Sequence, residues 1–301
     1  MKARIIYNPT AGREQFRREL ATVLEKLEIA GYETSAHATT GAGDAQYAAS
    51  LANDNGFDLI IAVGGDGTIN EVVNGISRKK KRSKVGIIPT GTTNDFARAL
   101  NIPRDIEKAV DIIVADQSMK LDIGKVNEQY FVNIAGGGDL TELTYDVPSK
   151  SKAMVGQLAY YMKGIEMLPS IRPVRTTIEY DGHVIDEEIM LFLVGNTNSI
   201  GGFEKLAPDA KLNDGLFDLI ILKKLNIAEF IRVATMAMRG THLDHKDIIY
   251  AQAKKIRVMP VDKMQLNIDG EFGGLLPGTF ENFKEHIEFF VPESFKEKQS
   301  E

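Results

Sequence analysis

Val63-Gly64-Gly65-Asp66-Gly67-Thr68-Ile69-Asn70-Glu71-Val72 is the stretch on which the reading of this chain turns. It follows the apolar run Asp58 to Val63, which reads as a buried strand, and it opens a helix expected from about Thr68 to Ser77. Gly64, Gly65 and Gly67 let the main chain approach a ligand closely and turn its N–H groups toward an anion. The helix N-terminus behind them adds a positive dipole, so the turn suits a phosphate. A carboxylate at Asp66 conflicts with that phosphate unless a cation lies nearby. Mg²⁺, the usual companion of ATP phosphates, would relieve the conflict.

Outward from this turn, strands alternate with helices up to about Leu121. Ile5 to Tyr7 form a strand broken by Asn8-Pro9-Thr10-Ala11-Gly12. Residues 13–30 place Phe16, Leu20, Val23, Leu24 and Leu27 at helical spacing, with Gly31 as the stop. Tyr32 to Ala38 is a strand, 44–54 a helix and Val85 to Ile88 a strand; Asn94 can cap a helix ending near Leu100, and 104–115 form another. This alternation predicts a parallel sheet with right-handed crossovers. Ligands of such sheets lie beyond the carboxyl ends of the strands. There the chain places Asn8 to Gly12, Thr39-Thr40, the glycine turn, and Pro89-Thr90-Gly91-Thr92-Thr93-Asn94-Asp95-Phe96. A dinucleotide site would need Gly-x-Gly-x-x-Gly after the first strand, where Asn8 to Gly12 stand instead.

Beyond Leu121 the pattern changes. Segments near 129–135, 174–180, 184–194, 216–222, 255–258, 264–268 and 286–291 are short and strand-like, with Asp181-Gly182 as a hairpin signal. Gly136-Gly137-Gly138 reads as a bend or bulge. Helices are sparse, chiefly 152–168 and 226–239. The expected organisation is an α/β domain over 1–121, a mostly antiparallel, sandwich-like β domain over 122–291, and a polar tail over 292–301 that frays.

Composition narrows the classes. A length of 301 residues favours two domains. With no cysteine there is no disulfide framework or thiolate metal site. No run approaches the ~18 apolar residues that cross a bilayer, and the N-terminus lacks a signal-peptide pattern, so a cytoplasmic protein is expected. A net charge of −6 argues against general nucleic-acid binding.

Gly64 to Val72, Pro89 to Phe96, Asn8 to Gly12 and Ile268-Asp269-Gly270-Glu271, in this order and spacing over nearly the whole chain, resemble the soluble bacterial diacylglycerol kinases of the diacylglycerol and sphingosine lipid kinase family. The resemblance implies a nucleotide domain, a β-rich domain and a catalytic cleft between them. It implies transfer of the ATP γ-phosphate to diacylglycerol, giving phosphatidic acid, with Glu271 as base. Phosphoryl transfer needs alignment, charge neutralisation and an acceptor for the alcohol proton, which suits a carboxylate on a turn. The family pattern carries ATP contacts onto Asn8, Pro9, Thr10, Ala11, Gly12, Thr39, Gly65, Asp66, Gly67, Thr68, Ile69, Asn70, Glu71 and Thr92. It carries a structural Mg²⁺ loop onto Pro208 to Leu216, with the Asp214 carboxylate and the Lys211 and Leu216 carbonyls as ligands. Asp66, Asp95 and Asp122 are the candidates to hold a catalytic Mg²⁺ directly or through water. A homodimer is a further implication. A kinase for another lipid alcohol, or a silent nucleotide- and lipid-binding regulator, remain the alternative readings.

An insoluble acceptor requires a peripheral approach to the inner face of the membrane. The basic run Arg78 to Lys84 precedes a strand and so sits at the sheet end opposite the nucleotide loops, as a solvated loop. Helix 152–168 carries an apolar stripe with Lys163 on its other face; Lys163 and Arg13 are the expected contacts to anionic headgroups.

Overall fold

The computed structural model describes residues 1–11, 15–138, 172–197, 206–207 and 210–300. Gly12, Arg13, helix 152–168 with Lys163, and Pro208-Asp209 lie outside the described residues. By contact the chain divides into two compact units, Met1–Ile123 with Lys284–Glu301, and Gly124–Phe283.

The first unit runs β1 (Lys2–Tyr7), α1 (Gln15–Ile29), β2 (Glu33–Ala38), α2 (Asp44–Asp54), β3 (Leu59–Gly64), α3 (Asp66–Ser77), β4 (Lys84–Pro89), α4 (Asp95–Ala99) and α5 (Ile106–Val114). Its strands pair in parallel in the order β2–β1–β3–β4. All six residues of β3 are buried, as expected for a central strand covered on both faces. The edge strand β2 keeps only partial burial. On the helical layer Gly75 of α3 allows α2 to pack close, because a Cβ there would overlap the Gln46 carbonyl. Asp105 caps α5 by accepting from Lys108 N–H at 2.9 Å, a contribution of about 1 kcal/mol. The order 2-1-3-4 reverses direction between β1 and β3, and ligands of open parallel sheets bind at such a switch point.

In the second unit, after β5 (Ser118–Val126), come β6 (Gln129–Phe131), β7 (Ile134–Gly137), β8 (Val174–Tyr180), β9 (His183–Gly195), β10 (Phe217–Lys223), α6 (Ile227–Arg239), β11 (Ile248–Ala253), β12 (Lys255–Pro260), β13 (Gln265–Ile268), β14 (Glu271–Leu275) and β15 (Gly278–Phe290). The pairings among β6 to β14 are antiparallel. The first half of β9 pairs with β8, and its second half is flanked by β7 and β10. Its residues Ile189, Phe192 and Val194, the first two set apart by the register shift against β10, join Phe131, Phe217, Leu266 and Phe280 in the core of this antiparallel sandwich. Asp181 (φ 41°) and Gly182 (φ 89°) form the β8–β9 turn, both left-handed as a two-residue hairpin requires.

Several expectations are revised. The segment near 129–135 is two strands, β6 and β7, and the glycine run is no bulge: Gly136 and Gly137 lie within β7. A Cβ at Gly136 would approach the Phe192 carbonyl of β9 to 2.6 Å, so these glycines serve close strand packing. Residues 284–301 belong by contact to the first unit. Phe289 pairs in parallel with Val85, and the polar tail forms helix α7 (Glu293–Ser300), anchored by Phe295 at 2 % exposure. The basic loop after α3 lies at the amino end of β4, where Lys79 pairs with Asp54 at 2.6 Å and Arg82 Nε donates to the Ser77 carbonyl at 3.2 Å.

Candidate nucleotide and acceptor site

The carboxyl ends of the parallel strands are stitched to one another. Asn8 N–H donates to the Val63 carbonyl at 3.0 Å, Thr39 N–H to Tyr7 at 2.9 Å, and Thr90 N–H to Gly64 at 2.9 Å. The four loops beyond these ends enclose a cavity of about 500 Å³. Of the expected ATP contacts, Asn8, Pro9, Thr10, Ala11, Thr39, Gly65, Gly67, Thr68 and Glu71 line it, joined by Thr40, Gly41, Ala42 and Gly91. Asp66, Asn70 and Thr92 are not among the lining residues, and Ile69 is fully buried in the core.

Glycine is required where two loops touch. A Cβ on Gly91 would overlap the Gly65 Cα, and one on Gly64 would overlap the Thr68 side chain. Gly65 precedes α3 with no side chain to cap it, so the first-turn N–H groups of α3 are left for a ligand or solvent.

The carboxylates here bind other loops. Asp66 Oδ2 accepts from Thr93 Oγ1 at 3.0 Å and from Asp95 N–H at 3.1 Å, and its Oδ1 accepts from Phe96 N–H at 3.1 Å. Asp66 therefore closes the first turn of α4. The expected cap, Asn94, instead folds its amide back on Gly91, accepting from its N–H at 2.9 Å and donating to its carbonyl at 2.8 Å. Glu71 reaches from α3 to the start of α2, accepting from Gly43 N–H at 2.8 Å and Ala45 N–H at 3.0 Å. Asp44 accepts from Thr40 N–H at 2.7 Å and Thr40 Oγ1 at 2.9 Å; these bonds hold its carboxyl below the usual range. Arg104 Nη2 donates to the Thr92 and Thr93 carbonyls, and Arg98 pairs with Asp95. Thr40 was expected at this strand end, whereas Asp44, Arg98 and Arg104 were not; their only signal was proximity to the strand ends.

Asp122 is fully buried and accepts from Glu285 N–H at 2.7 Å, holding that residue at φ 49°. Among the described residues no three His, Asp or Glu side chains converge as a metal cluster. Asp66 and Asp95 still offer the one or two carboxylates that Mg²⁺ needs beside substrate phosphates and water.

In the second unit Glu271 opens β14, exposed, opposite Ile268 across the turn Asp269 (φ 49°)–Gly270 (φ 91°). In the 211–216 loop Asp214 Oδ1 accepts from Leu216 N–H at 2.8 Å, and the Leu216 carbonyl accepts from Asn282 Nδ2 at 3.1 Å. An all-oxygen donor set with one charge fits Mg²⁺, since a carboxylate and carbonyls retain further lone pairs.

Residues 2–126 match the Diacylglycerol kinase catalytic domain, and residues 143–291 match the YegS C-terminal NAD kinase beta sandwich-like domain. A diacylglycerol kinase of Bacillus subtilis (strain 168) is 64% identical over 298 residues, 99% of this chain and 98% of the relative. One from Staphylococcus aureus (strain bovine RF122 / ET3-1) is 55% identical over 97% of this chain and 92% of the relative. A crystal structure of a diacylglycerol kinase from Bacillus anthracis str. Sterne superposes with a TM-score of 0.81 at 29% identity, covering 97% of this chain and 98% of that one.

Proposed function

The chain belongs to the diacylglycerol kinase family, and from that premise we propose that it transfers the γ-phosphate of ATP to diacylglycerol, yielding phosphatidic acid and ADP. The observation that carries the nucleotide half is the cavity at the β1/β3 switch point, floored by the uncapped N-terminus of α3 and the Gly65–Gly91 contact. Asn8 to Ala11, Thr39, Thr68, Glu71 and the N–H groups of Gly65 and Gly67 hold ATP, with Gly12 and Thr92 beside them; Asp66, Ile69 and Asn70, expected with this set, do not line the cavity. Asp66 and Asp95 would hold Mg²⁺, and Asp214 with the Lys211 and Leu216 carbonyls would hold a second, structural ion. When bound, the catalytic ion neutralises charge developing on the β- and γ-phosphate oxygens.

Glu271 accepts the proton of the acceptor hydroxyl as its oxygen attacks the γ-phosphorus; the bond to the bridging oxygen breaks and ADP departs. Exposure at a strand end lets the carboxylate meet a substrate alcohol, and a group in hydrogen-bond reach contributes about 10²- to 10⁴-fold. Among the described residues no helix is long and apolar enough to cross a membrane. Diacylglycerol therefore has to be met by peripheral contact on the cytoplasmic face, which we assign to Arg13 and Lys163. A homodimer is part of the same reading.

The test is to incubate labelled Mg-ATP with detergent micelles carrying diacylglycerol, sphingosine or no lipid, beside Glu271→Gln. Label in phosphatidic acid for the parent alone, at least 100-fold above the variant, is expected. Parent-level activity of the variant would remove Glu271 from the base role, and label in sphingosine would change the acceptor.

A further inference from the structure

Two carboxylates flank Gly270, and they face different partners. Glu271 is exposed. Asp269 is taken up by main chain: its Oδ1 accepts from Asn133 and Ile134 N–H, and its Oδ2 accepts from Val132 N–H, all at 2.9 Å. Its own N–H donates to the Ile134 carbonyl at 2.8 Å. Asn267 Oδ1 accepts from Gly270 N–H at 2.9 Å. Three successive N–H groups form a nest for an anion, and bonds to an ionised acceptor are about twice as strong as neutral ones.

The nest is itself fixed from behind by the end of β9. Asn196 N–H donates to the Asn133 carbonyl at 2.8 Å, Asn196 Nδ2 donates to the Val132 carbonyl at 3.1 Å, and Thr197 Oγ1 meets Asn133 Oδ1 at 3.3 Å. Asn133, Asn196, Thr197 and Asn267 are each buried. A satisfied buried network of this kind rigidifies its surroundings in one arrangement.

We infer that Asp269 is the positioning residue of the base: the 132–134 nest grips its carboxylate, and the grip sets the left-handed Asp269–Gly270 turn that aims Glu271. The inference rests on the reading of Glu271 as base. The Asp-Gly-Glu sequence thereby divides its labour: Asp269 anchors, Gly270 turns, and Glu271 meets the substrate. Geometry of this type matters because misplacement of a catalytic group by about 1 Å costs on the order of 10²-fold.

Asp269→Asn keeps the size and one acceptor but turns an NH₂ group on the nest. Its kcat should fall roughly 10- to 100-fold with the KM for ATP unchanged. The acid limb of its kcat–pH profile should keep the parent's position, because the base itself is unchanged, whereas Glu271→Gln should lose that limb. An unchanged kcat with a lowered melting temperature would make Asp269 merely structural and overturn the proposal. Loss of the acid limb in Asp269→Asn would make Asp269 itself the base and overturn it too. Parent-level activity of Glu271→Gln would overturn the base reading, and the positioning role with it, in an arm separate from the Asp269 one. Should Asp269→Asn fail to fold, Asn267→Ala removes the acceptor of Gly270 N–H and leaves Asp269 in its nest. Its kcat should fall about 3- to 10-fold, the equivalent of one hydrogen bond, and no fall would overturn the proposal.

Discussion

Replacing Asp66 by alanine separates two roles for its carboxylate, a staple for the loop after β4 and a ligand for a cation. The staple consists of three bonds, from Thr93 Oγ1, Asp95 N–H and Phe96 N–H, at 3.0 to 3.1 Å. A bond to an ionised acceptor contributes about 1.5–3 kcal/mol when sheltered. Thr93 is exposed, so water replaces its share. The two N–H groups belong to the start of α4, and losing a helix cap costs about 1 kcal/mol, more where the N–H groups are only half open to water as at Asp95. The expected loss is about 2–3 kcal/mol, and Asp66→Asn, which keeps one acceptor oxygen, should lose about half. The assay is hydrogen exchange over peptides spanning 93–100, in buffer without Mg²⁺ or nucleotide. There the alanine variant should lose protection by about 30- to 150-fold, the equivalent of that free energy. Parent-like protection without Mg²⁺, together with weakened Mg-ATP binding, would refute the staple and leave the cation as the carboxylate's only partner.

Two further outcomes follow from the first unit. His286 donates from Nε2 to the Ser77 carbonyl at 2.9 Å; burial, then the nearby Arg82 charge, pushes its pKa down to about 4. A depressed folded value means stability that is full above the unfolded pKa of about 6.5 and lost as pH falls toward 4. The shift corresponds to about 3 kcal/mol, or roughly 2 after discounting for partial exposure. Urea unfolding at pH 7 and pH 4 should show a loss smaller by that amount in His286→Gln, and equal losses would refute it. Gly91→Ala places a Cβ against the Gly65 Cα, main chain against main chain, so the loops must part. Calorimetric ATP affinity should fall at least tenfold, whereas unchanged affinity would show that the contact does not shape the phosphate site.

The parallel half of the fold was legible because its strands are buried on both faces and read as apolar runs, so β3 and β4 fell within a residue or two of their bounds. Asp181-Gly182 announced its hairpin because both residues need positive φ. Three strands escaped. β5 interrupts its apolar residues with Lys120, Asp122 and Lys125, β11 buries only its end residues Ile248 and Ala253 and shows no alternation, and β14 carries Gly273 and Gly274 in place of β-branched residues. The site was legible as a set of loops, but the bonding within it was not. Glu71 finds Gly43 across 28 positions and Asp269 finds Asn133 across 136, and no local pattern encodes a partner at that distance. Asn94 shows the same limit: its residue type fits a cap, while the neighbouring loop draws its amide to Gly91.

That bonding resolves the conflict of a carboxylate inside a phosphate turn. α2, α3 and α4 begin in the described loops that follow β2, β3 and β4. Each presents orphan N–H groups and a positive dipole end, so each could take an anion. The α2 terminus is already met by Glu71, and the α4 terminus by Asp66. Both carboxylates leave from the first turns of α3, yet each turns away to neutralise a neighbour. The α3 terminus has only Gly65 as its cap and opens on the cavity with no side-chain acceptor of its own. Of these three termini the chain meets two with its own acids, and the third is the one proposed for the nucleotide. The acids do not repel the phosphate from its site, because their charge is met by N–H donors of the adjacent loops, which they hold against the ligand. On the proposed reading, Mg²⁺ would serve the charge developing on the transferring group and would not be required to explain the position of Asp66.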